Sequence, residues 1–321
     1  MNDRQIKIIS HQEIKDLGIT PQQCLKWVEE SFSIKYDASL PPKISLHPQG
    51  DDFFNAMPCL LPSKYERYCI KVVHRIENGV PSLGSDIMLY DSLHGNLLAI
   101  VDGDWITTMR TGAVTALAAR LFERSNVKTY SIVGLGNTAG ATALCLIADH
   151  EGTPITLRLM RYKDQAERFA ERLKDYKNVT CEIIDRMEDF IAEADVIISC
   201  VTSAGNNLFS ENDDAYRKGV LVLPVHSRGF QNCDLTFDKV YADDRGHVEG
   251  FRNFSQFKHF DELSNVLLGK SVGRENDEER ILDYNVGLGL HDAVFASKIY
   301  DMFTSSSVTY HQIKEDKKFW V

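Results

Sequence analysis

Residues Thr129 to Ala148 read TYSIVGLGNTAGATALCLIA, an apolar run that breaks at a glycine pair and resumes as an alanine-rich stretch. YSIV has the β-branched, apolar character of a buried strand, and ATALCLIA that of a helix. Between them Gly134, Gly136 and Ala139 form G-x-G-x-x-A. The first glycine permits a tight turn, the second lets a pyrophosphate approach the backbone, and the small third residue lets helix and strand pack closely. Asn137 and Thr138 open a helix whose N-terminus favours negative charge. Strand, turn and helix in this order predict a dinucleotide site.

Outward from this stretch the chain alternates. PITLRLMR at Pro154 to Arg161, DVIISC at Asp195 to Cys200 and VLVLPV at Val220 to Val225 read as strands with helix-like segments between them, which predicts a doubly wound α/β domain of Rossmann type. The second strand of such a domain ends beside the adenosine ribose. Here that end is Leu159-Met160-Arg161-Tyr162-Lys163, where Arg161, with Lys163 as a second cation, suits a 2′-phosphate and predicts NADP(H) over NAD(H). Val201, Thr202 and Ser203 follow the fourth strand, at the sheet edge where cofactors bind.

Before this domain, residues near 12 to 35 read as helix, and strand-like runs follow from Ile44 to Asp102. Thr107 to Glu123, rich in Ala and Leu, reads as a connecting helix, and Gly287 to Phe303 as another. The expected division is a mixed α/β domain of residues 1–119 with 293–321, and a dinucleotide domain of residues 120–292.

The 46 acidic residues against 36 basic ones leave a formal charge of -10, which argues against a nucleic-acid partner. No apolar stretch reaches a membrane-spanning length, and MNDRQIKIISHQEIKD lacks a signal core, so the expected compartment is the cytoplasm. The seven cysteines are scattered without metal-ligand spacing, which predicts free, mostly buried thiols and no metal.

Several patches together resemble one family, that of ornithine cyclodeaminase and mu-crystallin. MRTGAVTALAA at Met109 to Ala119 is similar to its RTxA helix start, and FNAMP at Phe54 to Pro58 and CIKVV around Lys71 to its substrate-domain strands. GLGNTA resembles its cofactor loop, and VGLGLHDAVFASKIYD at Val286 to Asp301 its C-terminal helix. The resemblance implies a homodimer with a substrate and dimerisation domain. It also implies that Lys71 and Arg110 bind a substrate carboxylate, with Lys43 after the Pro-Pro turn as a third cation. Met57 falls within the substrate strand, and Thr111 and Gly289 join the expected cofactor contacts. Asp292 matches the aspartate of the C-terminal helix. GRENDEERIL at Gly273 to Leu282 is similar to a branch acting on N-carboxyalkyl amino acids, and RYKDQAERFA at Arg161 to Ala170 to mu-crystallin.

The chemistry agrees with the pattern. A guanidinium makes bidentate bonds to a carboxylate and an ammonium adds a point charge. The expected reaction is reduction of a small imino acid or ketimine, or the reverse oxidation of the amino acid, with Lys71 sharing in proton transfer. His74 is a weaker proton-transfer candidate. Two alternatives are a cyclodeaminase lyase using bound NAD and a protein that holds NADPH without turnover. Against the lyase, the loop Pro224-Val225-His226-Ser227-Arg228 carries no aspartate where true cyclodeaminases place one; Ser227 and Arg228 are expected at the substrate instead.

Overall fold

The computed structural model describes residues 2–201, 208–226, 230–304 and 307–312. In chain order the first elements are β1 (Asn2–Ile9), α1 (His11–Asp16), α2 (Pro21–Ser33), β2 (Ile44–Leu46), β3 (Phe53–Leu60), β4 (Arg67–Arg75), β5 (Leu83–Asp91) and β6 (Asn96–Asp102). Then come α3 (Gly103–Phe122), β7 (Thr129–Val133), α4 (Asn137–Asp149), β8 (Ile155–Met160), α5 (Gln165–Leu173), β9 (Val179–Ile184), α6 (Met187–Ala192) and β10 (Val196–Ser199). The last are β11 (Leu221–Pro224), β12 (Lys239–Ala242), β13 (Phe260–Glu262), α7 (Leu263–Leu267), β14 (Ile281–Tyr284), α8 (Gly289–Met302) and β15 (Ser307–Gln312). The helical region expected near 12 to 35 consists of two helices. Gly18, at φ +64°, ends the first, and Thr20 caps the second with Pro21 in its first turn.

The chain forms two compact units, Met1–Ile19 with Tyr36–Thr107 and Gly289–Val321, and Thr20–Lys35 with Thr108–Leu288. The division thus falls at Thr107/Thr108 rather than at 119/120, and at Leu288/Gly289 rather than at 292/293. Helix α2 also goes with the second unit. Its apolar face (Cys24, Leu25, Val28, Phe32) is buried, and α2 packs on α4. Just beyond it, buried Lys35 pairs with Asp244 and Glu262, each at 2.9 Å. Residues from Thr108 onward are tied to the same unit because Gly112 lies against α4. A Cβ there would be 2.5 Å from the Ala141 carbonyl carbon.

The first unit is built on a seven-stranded sheet in the order β15-β1-β6-β5-β4-β3-β2. All its pairings are antiparallel except β1 with β6. Helix α8 packs on β3, β4 and β5. Burial alternates along β4, with Cys69, Lys71 and Val73 inward, so one face of the sheet carries the site residues. Lys7 donates to the Tyr300 carbonyl at 2.8 Å, placing a cation at the C-terminal turn of α8.

The second unit is a wholly parallel eight-stranded sheet, β13-β12-β14-β11-β10-β7-β8-β9. Strands β10, β11, β12 and β14 are buried along their whole length, as parallel strands covered on both faces must be. Strand order reverses between β7 and β10, the place where open α/β sheets bind ligands.

Candidate active site

In the second unit the glycine turn joins β7 to α4. Gly134 has φ +82°, and a Cβ there would lie 2.6 Å from Cys200 C and Val201 N, so the turn can close over the end of β10 only with glycine. Gly136 is different. It is the N-cap of α4, exposed and without a capping side chain, and a Cβ on it would meet nothing within 4 Å. Protein packing therefore does not require that glycine, whereas close approach of a pyrophosphate to the first-turn N–H groups does. Asn137 and Thr138 form the first turn with Ala139, which is fully buried against the sheet. These residues fit a dinucleotide.

Arg161 follows β8, and its guanidinium is held by Asp185 and Glu167. Both carboxylates are well exposed, and their hydrogen bonds raise the already high pKa of the guanidinium. Lys163 has φ +52° and stands over the Tyr162 ring at 5.3 Å. Val201 borders the glycine turn. Thr202, Ser203, Ser227 and Arg228 lie outside the described residues. The neighbouring His226 accepts or donates a 2.7 Å hydrogen bond with Ser199 Oγ.

Arg110 and Thr111 sit on α3, each under one-tenth exposed. The Arg110 guanidinium lies against Gly287, where an added Cβ would come 2.5 Å from Nη1. Gly287 has φ +100°, and its N–H donates to Asp243. Burial alone raises the Asp243 pKa, but the hydrogen bond and charge of His247, the Gly287 N–H and Lys35 together hold it below the usual carboxylate value. Sequence reading missed Gly287 and Asp243, since the contact of Gly287 with Arg110 and its hydrogen bond to Asp243 leave no local signature.

In the first unit Lys71 and Asp292 form an ion pair of 2.7 Å, both side chains fully buried. Lys71 Nζ also donates to Thr107 Oγ1 at 3.3 Å. Met57 stands opposite Lys71 in the β3–β4 register and is buried. Gly289 presses on that strand, its position for a Cβ being 3.0 Å from the Met57 carbonyl oxygen. Lys43 is half-buried on the otherwise exposed stretch leading into β2. His74 points to the opposite face of β4 from Lys71 and stacks on Phe54 at 5.6 Å, which removes it as a partner of the ammonium.

The sequence profile of the ornithine cyclodeaminase/mu-crystallin family matches residues 6–307. The nodulation efficiency protein NfeD of Rhizobium meliloti is 27% identical over 275 residues, covering 82% of this chain and 83% of that protein. A Delta(1)-pyrroline-2-carboxylate reductase of Bacillus thuringiensis is 28% identical over 246 residues, covering 72% and 74%. The solved structure of the Thermococcus litoralis Delta(1)-pyrroline-2-carboxylate reductase, in complex with NADH and L-proline, superposes with a TM-score of 0.81 at 22% identity, covering 92% of this chain and 96% of that one. The match runs through both units, including β4, the glycine turn and the start of α8. The chain belongs to the ornithine cyclodeaminase/mu-crystallin family.

Proposed function

We propose that this protein is a nicotinamide-dependent reductase of small imino acids or ketimines, able to run in reverse as an amino-acid dehydrogenase. The observation that carries the reading is the fully buried pair of Lys71 with Asp292, 2.7 Å apart. A buried ion pair adds little stability over two apolar side chains of the same volume, so its presence between buried Met57 and Ile87 points to chemistry. The family and the pyrroline carboxylate reductase relative supply the reaction class.

In this reading Arg110 clamps the substrate carboxylate through two parallel hydrogen bonds, held in place by Gly287, and Lys71 and Lys43 add positive charge. Met57 gives an apolar wall beside Lys71. When bound, the reduced nicotinamide supplies hydride to the imine carbon. Lys71 gives the proton that the imine nitrogen takes up as its double bond becomes single. Gly134, Gly136, Asn137, Thr138, Ala139, Thr111, Val201 and Gly289 hold the cofactor. We favour NADP(H) over NAD(H), because the second strand ends in Arg161 with no acid on the strand to accept a ribose hydroxyl. Asp185 and Glu167 compete for that guanidinium, so the preference is modest. The seven free thiols suit a reducing compartment, which supports the cytoplasm.

We also propose a homodimer formed through the outer face of the seven-stranded sheet. Ile8, Ile100, Met88, Ile70 and Pro58 stand in register across five strands on that face, and Leu46, Phe54 and Leu60 continue it, all partly or well exposed. A contiguous apolar surface of this kind calls for a covering partner. Ile100→Glu should yield a monomer in sedimentation.

The test of activity is to follow NADPH and NADH absorbance with cyclic ketimines such as pyrroline-2-carboxylate, and with pyruvate, glyoxylate or oxaloacetate plus amines. Saturable oxidation of the cofactor is expected. Release of ammonia from ornithine with catalytic NAD+, and no imine reduction, would replace this reading with the lyase.

A further inference from the structure

A proton given up by Lys71 has to be replaced, yet its side chain has no exposure to solvent. The first unit contains a chain of groups suited to the task. Lys71 Nζ donates to Thr107 Oγ1 at 3.3 Å, Thr107 Oγ1 is 3.1 Å from Ser85 Oγ, and Ser85 Oγ donates to Asp104 Oδ1 at 3.1 Å. The Ser85 N–H fixes the same carboxylate oxygen at 2.6 Å. Asp104 is partly exposed.

The fold builds this chain from separate rules. Ser85 pairs with Val73 and therefore shares the inward face with Lys71 and Ile87. Asp104 and Thr107 are three residues apart at the start of α3, so both reach Ser85 from one side of the helix. Gly103 allows the contact, since a Cβ there would lie 2.7 Å from Ser85 Oγ. Anchoring α3 on β5 needs only the Ser85 N–H bond to Asp104. The two hydroxyls add something else, because each can donate and accept at once. The Thr107 hydroxyl reaches across to both Lys71 and Ser85.

We propose that Thr107, Ser85 and Asp104 form a proton relay that reloads Lys71 from solvent after each turnover. This rests on Lys71 as proton donor in imine reduction. Lys71 is left as a neutral amine once the imine nitrogen has its proton. A hydronium ion or buffer acid protonates Asp104, which passes a proton to Ser85 Oγ. The Ser85 proton moves to Thr107 Oγ1 and the Thr107 proton to Nζ, restoring the ammonium, both hydroxyls and the carboxylate. Among the described residues, Asp292 on α8 and Cys69 on β4 also lie close to Lys71, and Cys59 on β3 pairs with Cys69 in register. Burial, and then the Asp292 charge, push the Cys59 thiol up to about 12 and the Cys69 thiol well above its usual value, so neither competes as a donor.

The test is rapid-mixing kinetics of the full protein with reduced cofactor and a reducible imine. Asp104→Asn and Ser85→Ala should each show a first turnover of one cofactor per chain at close to the unmodified rate, because Lys71 starts loaded, then a steady rate at least about tenfold lower. Added imidazole should restore the steady rate of Asp104→Asn, and Ser85→Thr should recover what Ser85→Ala loses. Equal first and later rates in both variants overturn the relay. If Ser85→Ala folds poorly, Asp104→Asn decides alone, its side chain being partly in solvent. An unmodified protein that oxidises no cofactor with any imine overturns the reductase reading and the relay with it, whereas an active protein with unaffected variants overturns the relay only.

Discussion

The ammonium of Lys71 and the carboxylate of Asp292 meet at 2.7 Å with no solvent exposure on either side chain, which joins the inner strand β4 to the first turn of α8. Neither charge can be removed alone without leaving the other stranded. Asp292→Ala is expected to cost about 3–5 kcal/mol of stability, while the double replacement Lys71→Met with Asp292→Leu should regain most of it and yet support no imine reduction. Urea unfolding midpoints beside steady-state rates check both halves. A double variant that stays active would remove Lys71 from the chemistry.

Arg110 depends on Gly287 in a comparable way. Gly287→Ala places a Cβ within 2.5 Å of the guanidinium at a backbone φ of +100°. The strain is worth about 1–3 kcal/mol. The displaced guanidinium should lower kcat/KM at least about tenfold, with cofactor affinity changed little, and Arg110→Ala should lower it about a hundredfold or more. Kinetics alongside calorimetric titration of the cofactor separate the two effects; a parallel loss of cofactor binding would contradict the clamp.

Cofactor choice should answer to the carboxylates around Arg161. Asp185→Asn removes one competitor for the guanidinium and should tighten NADPH about two- to fivefold, the modest effect expected of an exposed ion pair. Arg161→Asp should shift preference toward NADH. Fluorescence titration of both cofactors measures this, and equal affinities in all three proteins would exclude Arg161 from the ribose site.

Acid–base balance around Asp243 gives a fourth expectation. Asp283 is buried beside Asp243, and burial followed by that neighbouring charge pushes its pKa well above the ordinary carboxylate value, whereas that of Asp243 is lowered. The unfolded chain releases the Asp283 proton near pH ~4 while the folded protein retains it, so stability falls as pH rises from there through the folded value. Asp283→Asn should therefore raise Tm at pH 8 and change it little below pH 4, each unit of raised pKa being worth about 1.4 kcal/mol. Asp243 contributes with the opposite sign, stabilising above its unfolded pKa and losing this as pH falls through its lower folded value. Thermal melts from pH 4 to 8 test the sign, and a variant less stable at pH 8 would reject it.

What the sequence determined by itself was local or repeated. The G-x-G-x-x-A turn, the alternation of strand and helix after Val127 and the alanine-rich α3 are written in residues a few positions apart, because a turn, a strand period and a helix face are set by near neighbours. The ordered patches around Lys71, Arg110, Gly134 and Asp292 carried the family. The tertiary structure alone decided which of these meet. That Lys71 pairs with Asp292, that Gly287 makes room for Arg110, that α2 belongs with the second unit and that His74 faces away from Lys71 depend on strand register and on packing between elements far apart in the chain. Burial turns those meetings into chemistry: a lysine read along the sequence is an ordinary surface cation, and it becomes a held proton only where sheet and helix exclude water around it.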